Sequence, residues 1–397
     1  MRNWLYLFCL AIAGCEVQPA DKHTLFQLLG PGQTGIDFNN KLEYDEAFNI
    51  FTYRNYYTGG GVAVGDINND GLPDIFFTGN QVDNKLYLNK GNFHFEDITE
   101  KAGIRKAGKW STGVCMADVN GDGLLDIYVC SSGIAKGDTR PNQLYINNGN
   151  GTFTDRAKKW GVQDGGYSTH AAFFDYDHDG DLDLFLLRNA SKPISTFNLQ
   201  HNERNIRDSL GGDRLYRNDG GHFTDVSKEA GIYGSVIGFG LGVTIGDVNK
   251  DGWPDIYVSN DFFERDYLYI NNGNGTFREE LESQMHSISN ASMGADMADI
   301  NNDGYPDIFV TEMLPEEESR IKINTTFENW EKYSWTSTMA TGIEFTRNTL
   351  QLNNCNGSFS EIGRLSGVRG HGLELGRTNH RPRQRRIQGY FRRQRHL

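Results

Sequence analysis

Apolar runs of four or five residues alternate with acidic or glycine-rich stretches along most of this chain. Gly61-Val62-Ala63-Val64 and Asp74-Ile75-Phe76-Phe77 flank one acidic stretch, and their β-forming residues predict two strands joined by a long turn. A second pair follows, Leu86-Tyr87-Leu88-Asn89 then Phe93-His94-Phe95. It is echoed at Leu144-Tyr145 with Phe153, Leu215-Tyr216 with Phe223, Leu268-Tyr269 with Phe277, and Leu350 with Phe359. Asn-Gly-Asn-Gly at 148–151 and 272–275 supplies the positive φ angles of hairpin turns. Two hairpins in succession make one four-stranded unit.

The acidic stretches are near-copies of one another. Asp66, Asn68, Asp70, Gly71 and Asp74 recur as Asp118, Asn120, Asp122, Gly123 and Asp126, and as Asp175, Asp177, Asp179, Gly180 and Asp183. They recur again as Asp247, Asn249, Asp251, Gly252 and Asp255, and as Asp299, Asn301, Asp303, Gly304 and Asp307. The first aspartates lie 52, 57, 72 and 52 residues apart, about one four-stranded propeller blade per repeat. Oxygen side chains at positions 1, 3, 5 and 9, a carbonyl expected at 7 and a glycine at 6 suit a hard cation with six to eight oxygen ligands, and Ca2+ is the natural choice. An EF-hand would need a bidentate Glu at position 12, where Phe77, Val129, Leu186, Val258 and Val310 stand instead. Asp/Asn-rich turns without a metal are the other reading, and five copies at one spacing argue against it.

On these residues the chain resembles the FG-GAP or VCBS repeat family, the calcium-loop β-propellers seen also in the integrin α-subunit head. The resemblance covers about residues 60–363 and implies an all-β fold, a β-propeller with five recognisable blades, incomplete at the C-terminal side. Gly59 to Asp66, Ser292-Met293-Gly294 and Arg347 to Asn353 look further like an exported bacterial subgroup that usually carries a C-terminal ASPIC/UnbV domain, which is not seen in this sequence. Residues 59–368 are expected to form the propeller and 16–58 a lead-in or edge strand. The hairpin at 350–362 reads as lacking inner strands of its own blade. Two insertions interrupt the rhythm, 188–212 and 313–346. The second holds Glu316-Glu317-Glu318, Trp330, Tyr333 and Trp335, suited either to stacking on a ligand or to covering the rim.

Arg2 precedes an apolar run from Trp4 to Ala13, the length of a signal-peptide core, and Ile12-Ala13-Gly14-Cys15 resembles a bacterial lipobox. Residues 1–15 are therefore expected to be a lipoprotein-type signal with Cys15 acylated, anchoring the protein to the cell envelope by lipid alone. A disulfide between Cys115 and Cys130 is conceivable, but two small buried thiols are favoured. His170 and Trp110, on strands leading into acidic loops, are expected to pack rather than catalyse.

The net charge of -13 argues against a nucleic-acid partner. Residues 364–397 depart from it with ten Arg and one Glu. With synonymous codons, reading one base later from residue 369 permits another D-x-D-x-D-G-x-x-D loop followed by an apolar strand. Residues 369–397 are therefore expected to be a frameshift product without function. Taken together, the sequence predicts a calcium-stabilised binding or scaffold module of the cell envelope for a protein or polysaccharide ligand, not an enzyme. The alternative is a non-catalytic part or fragment of a carbohydrate-active propeller enzyme of lyase or dehydratase type.

Overall fold

The computed structural model describes residues 27–104, 110–133, 141–192, 196, 202–324 and 343–370. Cys15, the aromatic residues Trp330, Tyr333 and Trp335, and nearly all of the Arg-rich tail lie outside them. Five four-stranded antiparallel sheets, each in sequential strand order, hold most of the regular secondary structure of the described chain. The first comprises β1 (Val62–Gly65), β2 (Asp74–Phe77), β3 (Lys85–Asn89) and β4 (Phe95–Asp97). The second comprises β5 (Trp110–Ala117), β6 (Asp126–Ser132), β7 (Gln143–Asn147) and β8 (Phe153–Asp155). The third holds β9 (Ser168–Phe174), β10 (Asp183–Arg188), β11 (Arg214–Asn218) and β12 (Phe223–Asp225). The fourth holds β13 (Gly240–Gly246), β14 (Asp255–Asn260), β15 (Tyr267–Asn271) and β16 (Phe277–Glu279). A short parallel pair, β17 (Ser287–Ser289) with β20 (Ile343–Phe345), flanks the fifth sheet of β18 (Gly294–Ala298), β19 (Asp307–Thr311), β21 (Thr349–Asn353) and β22 (Phe359–Glu361).

These sheets are propeller-like blades. Their first strands lie side by side in the order β1, β5, β9, β13, β18, and apolar clusters fill each interval between successive blades. Burial follows position in this arc. β6, β10 and β14 are buried along their whole length because a blade covers each face, whereas Ile75 and Phe77 of β2 and Phe309 of β19 are only half-buried. Val62 and Val64 of β1 remain 56% and 61% exposed, so the first blade has a neighbour on one side only. Among the described residues the arc does not close.

First strands approach one another closely enough to require glycine. A Cβ on Gly61 would lie 2.8 Å from the Thr112 carbonyl oxygen, one on Gly113 2.4 Å from that of Thr169, and one on Gly242 2.7 Å from the Gly294 Cα. At the far ends of the second strands, an Asn or Asp that precedes each third strand accepts a main-chain N–H: Asn84 from Gly79, Asn142 from Ser131, Asp213 from Arg188, Asp266 from Asn260 and Asn348 from Glu312. With both strand ends pinned in this way, the connection between them can vary in length, and both long insertions occur there.

That pinning corrects one expectation. Val310 pairs with Thr349 and Ile308 with Gln351 across the 313–346 insertion, so the hairpin at 350–362 completes the blade begun by β18 and β19. Within the 16–58 segment, described from residue 27, there is a lead-in and no edge strand. Phe38 stacks on Phe77, Asn40 bonds Asn80, and Phe48, Tyr53 and Tyr56 gather around Trp110. Arg54 reaches the Phe262 ring in the fourth blade. Trp110 thus packs as expected.

Candidate functional site: the acidic loops

Each loop joins the first and second strand of its blade, and all five turn in the same way. Asp66 Oδ1 accepts the Asp70 N–H at 3.1 Å and its Oδ2 accepts that of Gly71 at 2.7 Å. Asn68 Oδ1 also accepts from the Asp70 N–H, and Asp70 Oδ1 accepts from Leu72 at 2.9 Å. The 118, 247 and 299 loops repeat the whole set. Gly71, Gly123, Gly180, Gly252 and Gly304 have φ between +85° and +95°, the left-handed turn a side chain would resist.

The ninth-position aspartates anchor the loops from below. Asp74, Asp126, Asp183, Asp255 and Asp307 are buried, each accepting one N–H from the second loop residue and one from the Asn that ends the third strand. Burial first, and the neighbouring loop carboxylates after it, push Asp126 up to about 6 and Asp183 and Asp255 up to about 7, against the pull of those two N–H donors. Asp74 and Asp307 move in the same direction for the same reasons.

The 175 loop alone carries Asp instead of Asn at its third position, and this difference is informative. Elsewhere the third-position Asn donates its Nδ2 to the fifth-position Asp. Asp177 has no such donor. One carboxylate oxygen from each of Asp175, Asp177 and Asp183 lies within 4.8 Å of the others, and Asp175 Oδ1 and Asp177 Oδ1 are buried with no hydrogen-bond partner. Two donorless carboxylate oxygens beside the anchored Asp183 carboxylate fit a hard divalent cation.

The acidic spacing does not mark out a second set of site residues, although Asn89 and Asn353 end runs that the sequence pattern contains. Asn147 Nδ2 donates to the Ile67 carbonyl of the preceding loop at 2.8 Å and to Leu125 of its own, while its N–H holds Asp126. Asn218, Asn271 and Asn353 repeat this bridge to Val119, Tyr176 and Val248. The recurring Asn after each Leu-Tyr pair was the available signal. Cys115 and Cys130 are free thiols, Cys130 within an apolar cluster and Cys115 packed against it. His170 sits beside Gly113, and burial depresses its pKa.

A model of the FG-GAP-like repeat matches residues 66–129, 133–186, 205–258 and 247–310, more than half of the chain. The chain belongs to the FG-GAP-like repeat family. Cartilage acidic protein 1 of Xenopus tropicalis is 36% identical over 136 residues, 33% of this chain and 20% of that protein. Integrin alpha-3 of Mus musculus is 30% identical over 99 residues, 22% of this chain and 9% of that protein. The chain therefore spans about a fifth or less of the length of either relative. Among solved structures, an Agrocybe aegerita lectin that recognises non-reducing terminal N-acetylglucosamine aligns at 19% identity with a TM-score of 0.38, over 75% of this chain and 63% of that one. The V. cholerae biofilm matrix protein Bap1 aligns at 14% identity with a TM-score of 0.35, over 79% of this chain and 41% of that one. FG-GAP repeats in integrins are associated with divalent-cation binding, and such repeats suggest a binding or scaffold module.

Proposed function

We propose that this FG-GAP-like repeat protein is a calcium-stabilised binding or scaffold module of the cell envelope, displayed on a lipid anchor at Cys15 and presenting its blades to a protein or polysaccharide ligand. The observation that carries the metal is the pair of partnerless buried oxygens, Asp175 Oδ1 and Asp177 Oδ1, facing Asp183. Residues 175, 177, 179 and 183 would hold the ion there, with the Asp181 carbonyl, and the other four loops would do so with one carboxylate fewer. Bound calcium supplies positive charge that lets the clustered carboxylates stay ionised. The role is structural and not catalytic, because the loop carboxylates are tied to their own backbone and to the ion. The lipobox tetrad supports the envelope, and the ligand class rests on the repeat family alone. One preparation tests both halves. Calorimetric titration of chelated, full-length protein should show calcium uptake, and Cys15→Ser should move the protein from the membrane to the soluble fraction. A flat titration would remove the metal, and unaltered partitioning would remove the anchor.

A further inference from the structure

Neighbouring acidic loops touch, and they do so through the same position. The fourth loop residue has left-handed backbone throughout: Asn69, Gly121, His178, Lys250 and Asn302 have φ between +57° and +69°. Three of these side chains reach forward to the next blade. Asn69 Nδ2 donates to the Gly123 carbonyl at 2.9 Å, the His178 imidazole stacks on the Trp253 indole with centroids 4.0 Å apart and planes at 12°, and Lys250 Nζ lies 4.7 Å from the Tyr305 ring centroid. Trp253 and Tyr305 occupy the seventh position, whose carbonyl is the main-chain oxygen a loop offers to its ion. Gly121 has no side chain to extend. Beyond it the seventh position, Asp181, is held within its own blade, where its Oδ2 accepts the Gly220 N–H at 2.9 Å.

We infer that His178 is a positioning residue for the neighbouring 247 loop, holding Trp253 and with it the carbonyl that this loop would offer to an ion. The inference rests on the calcium reading given above. A second strut runs between the same two loops. Asn271 Nδ2 donates to the Tyr176 carbonyl at 2.8 Å while its N–H donates to Asp255 Oδ1 at 2.8 Å, so one residue joins the second position of the 175 loop to the ninth of the 247 loop. An ion in the 175 loop fixes residues 176–180, and through both struts it pre-orders the 247 loop, which lowers the ordering cost of the second ion. The two loops therefore fill cooperatively. The 118 and 175 loops lack the forward contact and are bridged by Asn218.

His178→Asn separates this role from simple packing. Asn tolerates the left-handed backbone and is the residue the 66 and 299 loops carry at this position, so the variant removes the ring and leaves the turn. Calcium titrations of full-length protein should show one site weakened roughly two- to tenfold, the range of an aromatic pair, and His178→Tyr should restore it. In an Asp251→Ala background, with the 247 loop disabled, His178→Asn should have no further effect. In an Asp179→Ala background its effect should persist but shrink, because no ion then fixes residues 176–180. The opposite pattern, loss in the 247-disabled background and none in the 175-disabled one, would overturn the inference and place His178 in its own loop only. His178→Asn that binds calcium as the wild type does would overturn it equally. A wild-type protein that takes up no calcium would overturn the metal reading itself, and this inference with it.

Discussion

Asp183 shows how one side chain can serve as anchor and ligand together. Its Oδ2 holds the Tyr176 N–H and its Oδ1 that of Asn218, which fixes the carboxylate rigidly beneath Asp175 and Asp177. That position carries an electrostatic cost without a cation, and the cost sets a pH dependence. Asp126, Asp183 and Asp255 are pushed up to about 6, 7 and 7, whereas in the unfolded chain they ionise near 3.8. The folded, metal-free protein thus holds protons that the unfolded chain has released, and its stability should fall as pH rises from about 4 to about 7. With saturating calcium the carboxylates stay ionised, and the slope should vanish or reverse because protons now compete with the ion. Urea midpoints at pH 4.5 and 7.5, with chelator and with calcium, would check this. Equal slopes in both conditions would show that these carboxylates do not meet an ion. The aspartates themselves were legible in the sequence because their spacing recurs. The bridging Asn147, Asn218, Asn271 and Asn353 were not, because an Asn at a strand end reads as an ordinary turn residue until the carbonyl of the previous blade is seen above it.

Strand boundaries followed closely from short apolar runs flanked by Asp and Gly, and the first two strands of each blade stand where the acidic spacing predicts. What the pattern could not show is why glycine recurs in or just before the first strands of the first, second and fourth blades. The apolar pattern includes Gly61 in a strand run and gives no role to Gly113 or Gly242, yet each lies where the backbone of the next first strand comes into contact. Gly242→Ala places a Cβ 2.7 Å from the Gly294 Cα, and no flexible side-chain end is there to yield. It should cost about 1–3 kcal/mol in chemical denaturation, the usual cost of overpacking. Gly165→Ala, with nothing within 4 Å of its Cβ, is the control and should be close to neutral. A Gly242→Ala protein as stable as the control would mean that the fourth and fifth blades are not in register as described. The fifth blade was misread for a related reason. Its second and third strands are separated by the 313–346 insertion, and local pattern carries no information about a pairing made across so long a loop.

Five blades in an arc leave the molecule dependent on what holds neighbouring blades together. Apolar clusters fill each interval, and a residue of every blade after the first also bridges to the acidic loop before it. The lead-in adds a long-range brace that sequence could not foretell, because segment 37–58 has no alternation and its contacts are distant: Tyr53 reaches Ser132 in the second blade and Arg54 reaches Phe262 in the fourth. Ions bound in the loops would therefore act on whole blades as well as on turns, since each loop is tied to two of them. Ligands that bind only the folded state raise its stability with the logarithm of their concentration. Thermal melting of chelated protein, repeated with calcium added from micromolar to millimolar levels, tests this most directly. The calcium-stabilised arc predicts a midpoint that climbs steadily with calcium, whereas a midpoint unchanged at millimolar calcium would contradict it.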